Sequence, residues 1–379
     1  MADQMSDQVY SCWIHKLKEL VTFGIINFNG SEKLLTTIVK LTDIYPQTSI
    51  FVVDDGSTDD SVACVRSNFP QVDIFEMGEN TGRINRVRAK AVLECHTPYL
   101  MLIDNDISFQ QLCVPYLLEC MLQNKNILIS RPRLMYCGRP NLLYRDTASI
   151  HFLGISADDR RGVPYDESFP TIMDNTFGGG IMLLNVSKAL EIGNFDDRYL
   201  FGWGDDAELS VRGRLCGYRS VYCSYAVAYH DESLQGTGRV TGQIYNRWRF
   251  IATLYSKRTL IIIIPALVTF ELALAVFLNI GKNRRGYWRA VRLFVAEVPE
   301  ILQRRRMIGS IRIEKSDRCF LDAGRITLTG YLGTAYKLQT IANIISKILT
   351  FYWIVVSPVV GREYRSESNY NASSIRQND

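Results

Sequence analysis

The chain has 379 residues, of which 47% are hydrophobic and 22% charged, so its composition is that of a folded globular protein and excludes a disordered or fibrous one. This length allows two or three structural units with a sizeable core. The net charge of +4 is too small to indicate nucleic-acid binding. Residues 257–315, however, hold 12 basic and 4 acidic side chains, and this local excess favours phosphates or an anionic membrane surface.

The nine cysteines are scattered, and none lies in a C-x-x-C pair. This pattern predicts neither a disulfide framework nor a thiolate zinc site, and it favours a reducing compartment. Residues 1–20 lack the apolar segment of a secretory signal peptide. We therefore expect the bulk of the chain to be cytosolic.

Strands and helices alternate in the first hundred residues. Short apolar runs that end at turn residues predict strands at 21–28, 50–53, 72–75 and 99–103. Helices are expected over 31–41, from the 54–59 segment onward, and over 83–95. Such alternation predicts an α/β fold with a mostly parallel sheet flanked by helices, whose functional residues collect at the carboxyl ends of strands.

The later chain is less regular, with a helix predicted over 207–215 and a strand over 220–229, and its composition changes near residue 250. The organisation predicted from these shifts is an N-terminal extension (1–20), an α/β domain (21–250), a basic and apolar helical region that associates with membrane (251–325), a second apolar helix region (326–361) and a polar, disordered tail (362–379).

Asp104-Asn105-Asp106 follows a predicted strand. Two carboxylates with this spacing can share a hard divalent cation, Mn2+ or Mg2+, which would neutralise a departing diphosphate. His230 follows a predicted strand after the 207–215 helix and is a candidate third ligand. The alternatives are a turn in which Asp and Asn cap backbone groups and a histidine without a special role.

Asp54 and Asp55 precede a glycine turn. A carboxylate here can accept a hydrogen bond from a nucleotide base or ribose, and the glycine allows close approach of the backbone. The other interpretation is the start of a helix that Ser57 or Thr58 caps, with acids favourable in its first turn. The two interpretations are compatible.

Asp205 and Asp206 lie in a loop ahead of the helix predicted over 207–215. A carboxylate in this loop is a candidate general base for an acceptor hydroxyl, although both acids are equally suited to helix capping. Trp203 is either a packed anchor or a platform for a sugar ring. The triple glycine at 178–180 lacks the Lys-Ser/Thr of a phosphate loop, and it would let a substrate approach the backbone.

In this order the segments resemble the inverting family-2 glycosyltransferases with the GT-A fold, over roughly residues 20–250. The similar parts are the first strand end (26–30), the nucleotide-binding turn (53–59), the N-x-G element (80–82), the D-x-D (104–106), the acceptor-side glycine segment (178–182) and the G-x-F-D…E-D-x-D-L…R…G block (193–217). The order and spacing of six such parts are hard to obtain by chance.

The resemblance implies roles for these residues. Asp54 and Asp55 would contact the base and ribose, and Asp206 would be the catalytic base beside Asp205 in a single displacement. The implied ligands of Mn2+ or Mg2+ are Asp104, Asp106 and His230. The further implied contacts to the nucleotide sugar are Asn27, Asn80, Gly82, Arg88, Asp104, Gly179, Gly180, Trp203 and Arg247.

Three positions depart from the family pattern. Asp205 replaces a glutamate, which resembles the D-D pair of some galactofuranosyl- and rhamnosyltransferases. Arg88 lies near a position where asparagine is common. Residues 243–248 are similar to the Q-x-x-R-W of processive synthases but carry one extra residue, so processive polymerisation is not predicted.

Residues 259–280 are apolar enough to span a bilayer, but Pro265 and Glu271 interrupt them and a basic block follows. A single crossing would place that block outside, against the positive-inside tendency. We therefore expect an in-plane or re-entrant helix; the alternative is a soluble helical subdomain. The predicted lipid-facing basic flank is Lys282, Arg284, Arg285, Arg289, Arg292, Arg304, Arg305 and Arg306.

The sequence thus predicts a metal-dependent inverting glycosyltransferase, peripheral or monotopic on the cytoplasmic face of the cell membrane, acting in polysaccharide biosynthesis for the cell envelope. The expected partners are a UDP- or dTDP-sugar, a lipid-linked or oligosaccharide acceptor and an anionic membrane surface, with no nucleic acid and a homo-oligomer left open. The alternatives are a polyprenyl-phosphate sugar synthase, whose phosphate acceptor needs no strong base, and a non-catalytic membrane scaffold.

Overall fold

The computed structural model describes residues 7–145, 149–157, 161–166, 172–174, 180–231, 240–280, 283–324 and 336–361. The helices in these ranges are α1 (Asp7–Leu20), α2 (Ser31–Ile44), α3 (Ser61–Asn68), α4 (Ile84–Glu94), α5 (Cys113–Gln123), α6 (Val186–Glu191), α7 (Ala207–Leu215), α8 (Val240–Leu254), α9 (Lys257–Ile280), α10 (Arg284–Ala296), α11 (Val298–Ile311) and α12 (Tyr336–Val360). The strands are β1 (Val21–Asn27), β2 (Ser49–Asp54), β3 (Asp73–Glu76), β4 (Tyr99–Asp104), β5 (Ile107–Phe109), β6 (Ile127–Tyr136), β7 (Leu143–Arg145), β8 (Ser149–His151), β9 (Ile155–Ala157), β10 (Ile172–Asp174), β11 (Ile181–Asn185), β12 (Arg219–His230) and β13 (Leu321–Asp322).

A mixed sheet of ten strands lies at the centre, in the order β10-β12-β6-β11-β4-β1-β2-β3, with β5 paired to β12 and β7 to β6. Strands β3, β2, β1 and β4 are parallel, as predicted. Strand β11, in contrast, is antiparallel to both β4 and β6. The predicted α/β class is confirmed, but the sheet is mixed rather than mostly parallel: β6 and β12 are again parallel to each other, and the antiparallel β11 separates them from the first four strands. Strands β5, β7 and β10 also pair antiparallel, a geometry that needs no crossover helix.

Helices cover both faces of the parallel half because its strands are apolar at successive positions. In β1, Phe23 and Ile25 pack in the cluster that contains residues of α2 and α5, whereas Ile26 packs in the cluster that contains residues of α4 and α6. Strand β4 divides its side chains in the same way. Burial on both faces fixes the register of these strands, so that their carboxyl ends come together at one edge.

Helix α3 begins at Ser61, later than the sequence pattern predicts. Ser57 does not cap it, because this residue folds back on the strand end. Its amide donates to Asp54 Oδ1 at 2.8 Å, and its hydroxyl donates to Asp54 Oδ2 at 2.6 Å. The segment that follows β2 is therefore a turn closed by Asp54 rather than the first turn of a helix.

Strand β12 contains a bulge that redirects its end. Cys223 pairs with Pro132 of β6, but the next pair joins Val227 to Arg133, so residues 224–226 are extra on β12. Beyond the bulge the strand also pairs with β5, where His230 is opposite Ile107. The bulge thus brings the end of β12 to the strand that directly follows the D-x-D.

The C-terminal helices pack on the α/β unit and leave apolar side chains on the surface. Helix α8 runs through the boundary predicted at residue 250. One side of α9 packs on the protein along the length of the helix, and its buried side chains are those of Thr259, Ile263, Leu274 and Leu278. Two described helices are long and apolar enough to cross a membrane by length and composition alone, over Lys257–Asn279 and Asn343–Val360.

Two arginines of the predicted basic flank face the protein. Arg304 donates to the carbonyl oxygens of Gly193 and Asn194 at 3.1 and 3.2 Å. Arg305 donates to the carbonyl of Ala252, in the last turn of α8, at 2.5 Å. The lipid-facing prediction is wrong for these two, because carbonyl groups in a loop and at a helix end require donors. Lys282 lies outside the described residues, and the exposed members of the flank are Arg284, Arg285, Arg289, Arg292 and Arg306.

Candidate active site

Side-chain hydrogen bonds join the ends of β1, β2 and β4. Asn27 Nδ2 donates to Asp54 Oδ2 at 2.9 Å, and Asn27 Oδ1 accepts from Asn105 Nδ2 at 2.7 Å. Asp54 is 1% exposed and accepts from Ser57 as well. Asn27 and Asp54 therefore hold the ends of these strands together, and their predicted contacts to the nucleotide sugar stay a prediction.

Asp55 is a buried carboxyl whose Oδ1 has no hydrogen-bond partner among the described residues. Burial raises its pKa to about 6; Asp54 acts in the same direction and Arg86 opposes it. The next residue, Gly56, has φ of 74°, and a Cβ there would lie 2.6 Å from the backbone of residues 79 and 80. The turn is thus packed tightly on the following loop and presents a buried acceptor for a donor such as a base N–H.

The loop after β3 holds Asn80 and Gly82. Asn80 Oδ1 accepts from the amide of Gly82 at 2.6 Å, and Gly82 has φ of 70°. The carbonyl of Gly82 accepts from the amide of Phe201 at 3.1 Å. These two residues therefore connect the turn around Asp55 to the segment that leads into Asp205.

Asp104 is half-buried at the end of β4, and its amide donates to the carbonyl of Gly180 at 2.7 Å. A Cβ at Gly180 would lie 2.5 Å from Asp104 Oδ2, so glycine leaves room for the carboxyl. Burial raises the pKa of Asp104 to about 7; three neighbouring carboxylates add to this effect, and Arg88 opposes it. Gly179, the other glycine predicted to contact the donor, lies outside the described residues.

Asp106 faces His230. His230 Nε2 lies 3.8 Å from Asp106 Oδ1, and both side chains are about 15% exposed. The imidazole stacks on the ring of Tyr144, with centroids 4.2 Å apart and planes 5° from parallel. Burial lowers the pKa of His230 while Asp106 opposes this shift, so the ring is neutral, and able to bind metal, at neutral pH.

Of the predicted ligands Asp104, Asp106 and His230, the last two face each other, and all three are of types that bind divalent cations. The 3.8 Å between Asp106 Oδ1 and His230 Nε2 is too long for a hydrogen bond. In the described part of the chain, no group of three or more His, Cys, Asp or Glu side chains is arranged as a metal site. These residues would therefore hold Mn2+ or Mg2+ only together with further oxygen ligands.

Arg88, on α4, is a buried cation close to the carboxylates of Asp104, Asp205 and Asp206, which together form an acidic cluster. Its Nη1 donates to Asp205 Oδ2 at 2.8 Å and to Asn85 Oδ1 at 3.2 Å, and it is attracted by Asp104 and Asp206 as well. Burial raises the pKa of Asp205 to about 6 in spite of this guanidinium. The sequence predicts that Arg88 contacts the nucleotide sugar, whereas in the structure it is 3% exposed and lies among the carboxylates.

Asp206 is buried immediately before α7. The first turn of this helix is fixed by Glu208, which is fully buried and accepts two hydrogen bonds from Arg212, at 2.7 and 2.8 Å. Arg212 also donates to the carbonyl groups of Ile192 and Asn194. This network holds the start of α7, and with it Asp206, against the preceding loop.

Two sets of ionic contacts behind this loop, one at Asp196 and one at Glu297, were not predicted from the sequence. Asp196 accepts two hydrogen bonds from Arg249 of α8, at 2.8 and 2.9 Å, and Arg249 lowers its pKa. Glu297, between α10 and α11, accepts from Arg83 and from the hydroxyl of Tyr245, each at 2.5 Å. In the sequence, Asp196 is visible only as the acid of the G-x-F-D segment, and its partner Arg249 lies more than 50 residues away.

Two residues predicted to contact the donor are engaged elsewhere. Arg247 is buried and donates to the carbonyl of Leu153 at 3.1 Å and to Glu271 of α9 at 2.5 Å. Trp203 packs edge-on against Phe250, with centroids 5.4 Å apart. Arg247 thus links α8 to α9, and Trp203 is a half-buried ring that contacts α8; their predicted contacts to the donor stay a prediction.

Comparison with known proteins gives a family match for part of the chain. Residues 22–179, less than half of the sequence, match the family model described as Glycosyl transferase family 2. This range includes Asp55 and the D-x-D, and it ends before Asp205. No protein with a curated functional description matches the chain.

Among solved structures, GalNAc-T7 with UDP, GalNAc and Mn2+ is similar with a TM-score of 0.53 and 12% identity over 67% of this chain. The chain spans 58% of the length of that structure. The mannosyltransferase PcManGT from Pyrobaculum calidifontis, in complex with GDP-Man and Mn2+, gives a TM-score of 0.43 and 14% identity over 80% of this chain and 90% of that one, too low for inference. The likeness to GalNAc-T7 is one of fold, and it agrees with the GT-A fold that the resemblance implies.

Proposed function

We propose that this chain is a metal-dependent glycosyltransferase that transfers a sugar from a nucleoside diphosphate sugar to an acceptor. One observation carries the proposal: Asp55, the D-x-D and Asp205 meet at one edge of the sheet, where Arg88 is the buried cation. The family match over residues 22–179 supports it, and so does the presence of UDP and Mn2+ with GalNAc-T7, which shares the fold.

The donor is a UDP- or dTDP-sugar, since the unpartnered oxygen of Asp55 suits the N3–H of a pyrimidine base. Asp104, Asp106 and His230 hold Mn2+ or Mg2+. A divalent cation held by these residues would offset the negative charge of the departing diphosphate. Rhamnose and galactofuranose are the sugars that the Asp205-Asp206 pair favours, by its resemblance to transferases of those sugars.

Asp206 is the general base for an acceptor hydroxyl. It takes the hydroxyl proton while the oxygen bonds to the anomeric carbon and the bond from that carbon to the diphosphate breaks, so the configuration inverts. Burial and the fixed start of α7 hold this carboxylate in place. Asp205, which Arg88 engages, positions the loop rather than accepting the proton.

The acceptor is a lipid-linked or oligosaccharide glycan at the cytoplasmic face of the membrane. Support comes from α9, which is packed on the protein along one side and exposes Ile261, Leu272 and Val276 on another. The carboxylate of Glu271 pairs with Arg247, so α9 carries no unpaired acid toward lipid. This arrangement favours a monotopic helix in the plane of the membrane over a plain crossing.

The apolar face of α9 and α12 also suits a polyprenyl phosphate as the direct acceptor, which keeps a polyprenyl-phosphate sugar synthase as a second candidate. A phosphate acceptor is already ionised and needs no strong base. The two candidates therefore differ in how far the activity depends on Asp206.

The proposal is tested by thermal unfolding in the presence of UDP, dTDP, GDP and ADP, each with and without MnCl2. A ligand that binds only the folded state raises the midpoint by mass action. We expect UDP or dTDP to raise the unfolding midpoint in the presence of Mn2+. In Asp106→Ala, the part of this rise that depends on Mn2+ should be lost. Asp43→Ala, on the exposed side of α2, is the matched control and should behave as wild type.

If no nucleotide shifts the wild-type midpoint, the transferase proposal fails and a non-catalytic membrane scaffold takes its place. A shift that is equal in Asp106→Ala would show a nucleotide site without the proposed metal.

A further inference from the structure

Asn246 is a fully buried residue of α8 whose side-chain amide binds one loop. Its Nδ2 donates to the carbonyl oxygens of Leu200 and Trp203, at 2.8 and 3.0 Å, and its Oδ1 accepts from the amide of Leu200 at 3.0 Å. Residues 200–206 form this loop, which leads into α7 and ends at the proposed base. A buried amide is costly unless its donors and its acceptor are paired, and here a single loop pairs them.

Two glycines let the loop lie directly on the first turn of α8. A Cβ at Gly242 would overlap the carbonyl oxygen of Phe201, and a Cβ at Gly202 would lie 3.0 Å from the amide nitrogen of Gln243. Backbone therefore packs against backbone at this place, as the absence of side chains allows. The loop and the helix are in direct contact one turn before Asn246.

The residues that follow Asn246 fasten α8 to α9. Arg247 donates to one carboxylate oxygen of Glu271 at 2.5 Å, and the indole of Trp248 donates to the other at 3.1 Å. Glu271 lies on α9. The segment 246–248 thus binds the loop with its first residue and a neighbouring helix with the next two, so Asn246 has a fixed place from which to hold the loop.

The path from the Asn246 contacts to the proposed base is short. Only two residues separate Trp203 from Asp206, and the carbonyl of the first of them, Gly204, accepts from the amide of Glu208 at 3.0 Å. The chain is therefore hydrogen-bonded on both sides of Asp206, to α8 before it and within the first turn of α7 after it. A displacement of Trp203 would be passed on to the carboxylate.

We propose that Asn246 is a positioning residue for Asp206, because it fixes the loop 200–206 on α8 and thereby places the carboxylate for removal of the acceptor proton. The family match ends at residue 179, before both the loop and α8. This inference rests on the proposed function, and it adds to the site a residue of α8 that touches neither donor nor acceptor.

The hold on the loop is tested by hydrogen–deuterium exchange of the peptide that spans residues 198–206. Asn246→Ala removes the acceptor of the Leu200 amide and should speed exchange in this peptide about tenfold, while peptides of β1 and β4 keep their rates. Asn246→Gln retains the amide group and should recover part of the protection; it also serves where Asn246→Ala does not fold. The matched control is Thr253→Ala, because this buried hydroxyl on α8 bonds only within its own helix.

The action through Asp206 is tested by combining the two substitutions. Nucleotide release is measured with UDP-galactofuranose and dTDP-rhamnose, with water or octyl glucoside as the acceptor. Asn246→Ala should lower kcat about tenfold and leave the KM for the donor unchanged, since the base is displaced and the donor contacts are not. In the Asp206→Asn background the same substitution should change kcat less than about twofold, because residues that act as a unit are not additive.

Unchanged exchange of the 198–206 peptide in Asn246→Ala would overturn the inference and leave the proposed function standing. An equal fall of kcat in both backgrounds would do the same, since it would show an effect that does not pass through Asp206. Absence of nucleotide binding and of nucleotide release in wild type would overturn the proposed function and with it the role of Asn246 in catalysis; the exchange rates would then decide only whether Asn246 holds the loop.

Discussion

Arg88 shows how one buried cation can set the protonation of several acids. It donates to Asp205 and lies close to Asp104 and Asp206, so three carboxylates share one guanidinium. When all three are ionised, the group carries two net negative charges, which a divalent cation offsets. Burial is the main reason that the pKa of Asp104 rises to about 7 and that of Asp205 to about 6, and the neighbouring carboxylates add to it. Protonation relieves this excess of negative charge, and a divalent cation held nearby, as proposed, would relieve it as well.

Arg88→Met should destabilise the protein by about 3–5 kcal/mol at pH 8, because removal of one partner leaves a buried charge unpaired. This loss of stability should become smaller as the pH is lowered toward 5. Asp205, with a folded pKa of about 6 that rises further in the variant, takes up a proton there and no longer needs the cation. Urea unfolding of both proteins at pH 5 and pH 8 measures the difference, with Arg66→Met as the exposed control. An equal loss at both pH values would contradict the shared-charge account.

Asp55→Asn should stabilise the protein at pH 7.5. The folded pKa of about 6 lies above the ordinary value of 3.8 for an aspartate, so the stability linked to this group is present below about pH 4 and is lost as the pH rises to about 6. The amide does not ionise, and the variant should gain at most about 3 kcal/mol above pH 6 and nothing near pH 4. Thermal midpoints across this range measure it, and Asp73→Asn, at an exposed site, should show no such trend. A constant difference at all pH values would rule out the linkage.

Asp206→Asn should lower kcat by about 10²–10⁴-fold and leave the KM for the donor unchanged, since a general base acts on the acceptor in the transition state. Steady-state transfer rates with the donor identified by the nucleotide panel measure the effect. Activity close to wild type would instead favour the polyprenyl-phosphate synthase, whose acceptor is already ionised.

At the scale of elements, the sequence predicts the strands better than the contacts between distant segments. Strands β1, β2 and β4 are predicted because continuous apolar runs end at turn residues, and the structure joins the polar side chains at their ends, Asn27, Asp54 and Asn105. The late start of α3 was missed because Ser57 bonds to Asp54, and a competing local hydrogen bond is not visible in a capping pattern.

Contacts across long separations were not predictable from one sequence. Arg88 and Asp205 are 117 positions apart, and periodicity in α4 gives no sign of which helix or loop an arginine will face. Arg304 illustrates the same limit, because the basic stretch on α11 suggests a lipid surface although this side chain serves the loop at Gly193. A charge pattern in the sequence locates a charged segment, but the interaction partner of each charged side chain depends on the tertiary fold.

Gly180→Ala tests the close packing between β11 and β4. The new Cβ would lie 2.5 Å from Asp104 Oδ2, so the carboxyl must move. We expect at least a tenfold loss of Mn2+-dependent nucleotide affinity, because a ligand shift of this size removes about one charge-assisted contact. Titration calorimetry measures it. Gly138→Ala, where no atom lies within 4 Å of the added carbon, is the control, and equal behaviour of the two would refute this role for Gly180.

At the scale of the whole molecule, the chain has two regions with different surfaces. The α/β unit buries its apolar strands on both faces, whereas α9 and α12 expose large apolar side chains, among them Ile261 at 70% and Phe351 at 70%. The hydroxyl of Tyr352 donates to the carbonyl of Ile262 at 2.6 Å, so the two helices are held together. A surface of this kind, near the exposed arginines of α10, is suited to an anionic bilayer.

Ile261→Ser with Leu272→Ser should reduce binding to vesicles at least tenfold, because each side chain loses about 1.5–3 kcal/mol of burial in lipid. Co-sedimentation with vesicles of phosphatidylglycerol and phosphatidylcholine measures it. Leu93→Ser, which removes a 61% exposed leucine from α4, is the matched control. Unchanged sedimentation of the double variant would argue for a soluble helical subdomain.

The bulge at residues 224–226 divides β12 into two parts with different structural roles. The part of β12 before it belongs to the sheet core, and the part after it carries His230 to Asp106. In an uninterrupted strand, one inserted residue would turn every later side chain to the opposite face. A bulge can change in length without that inversion, so the reach of the imidazole can be altered while the core stays packed. The distance between the His230 imidazole and the Asp106 carboxylate can therefore be changed through the length of this bulge, with both side chains left as they are.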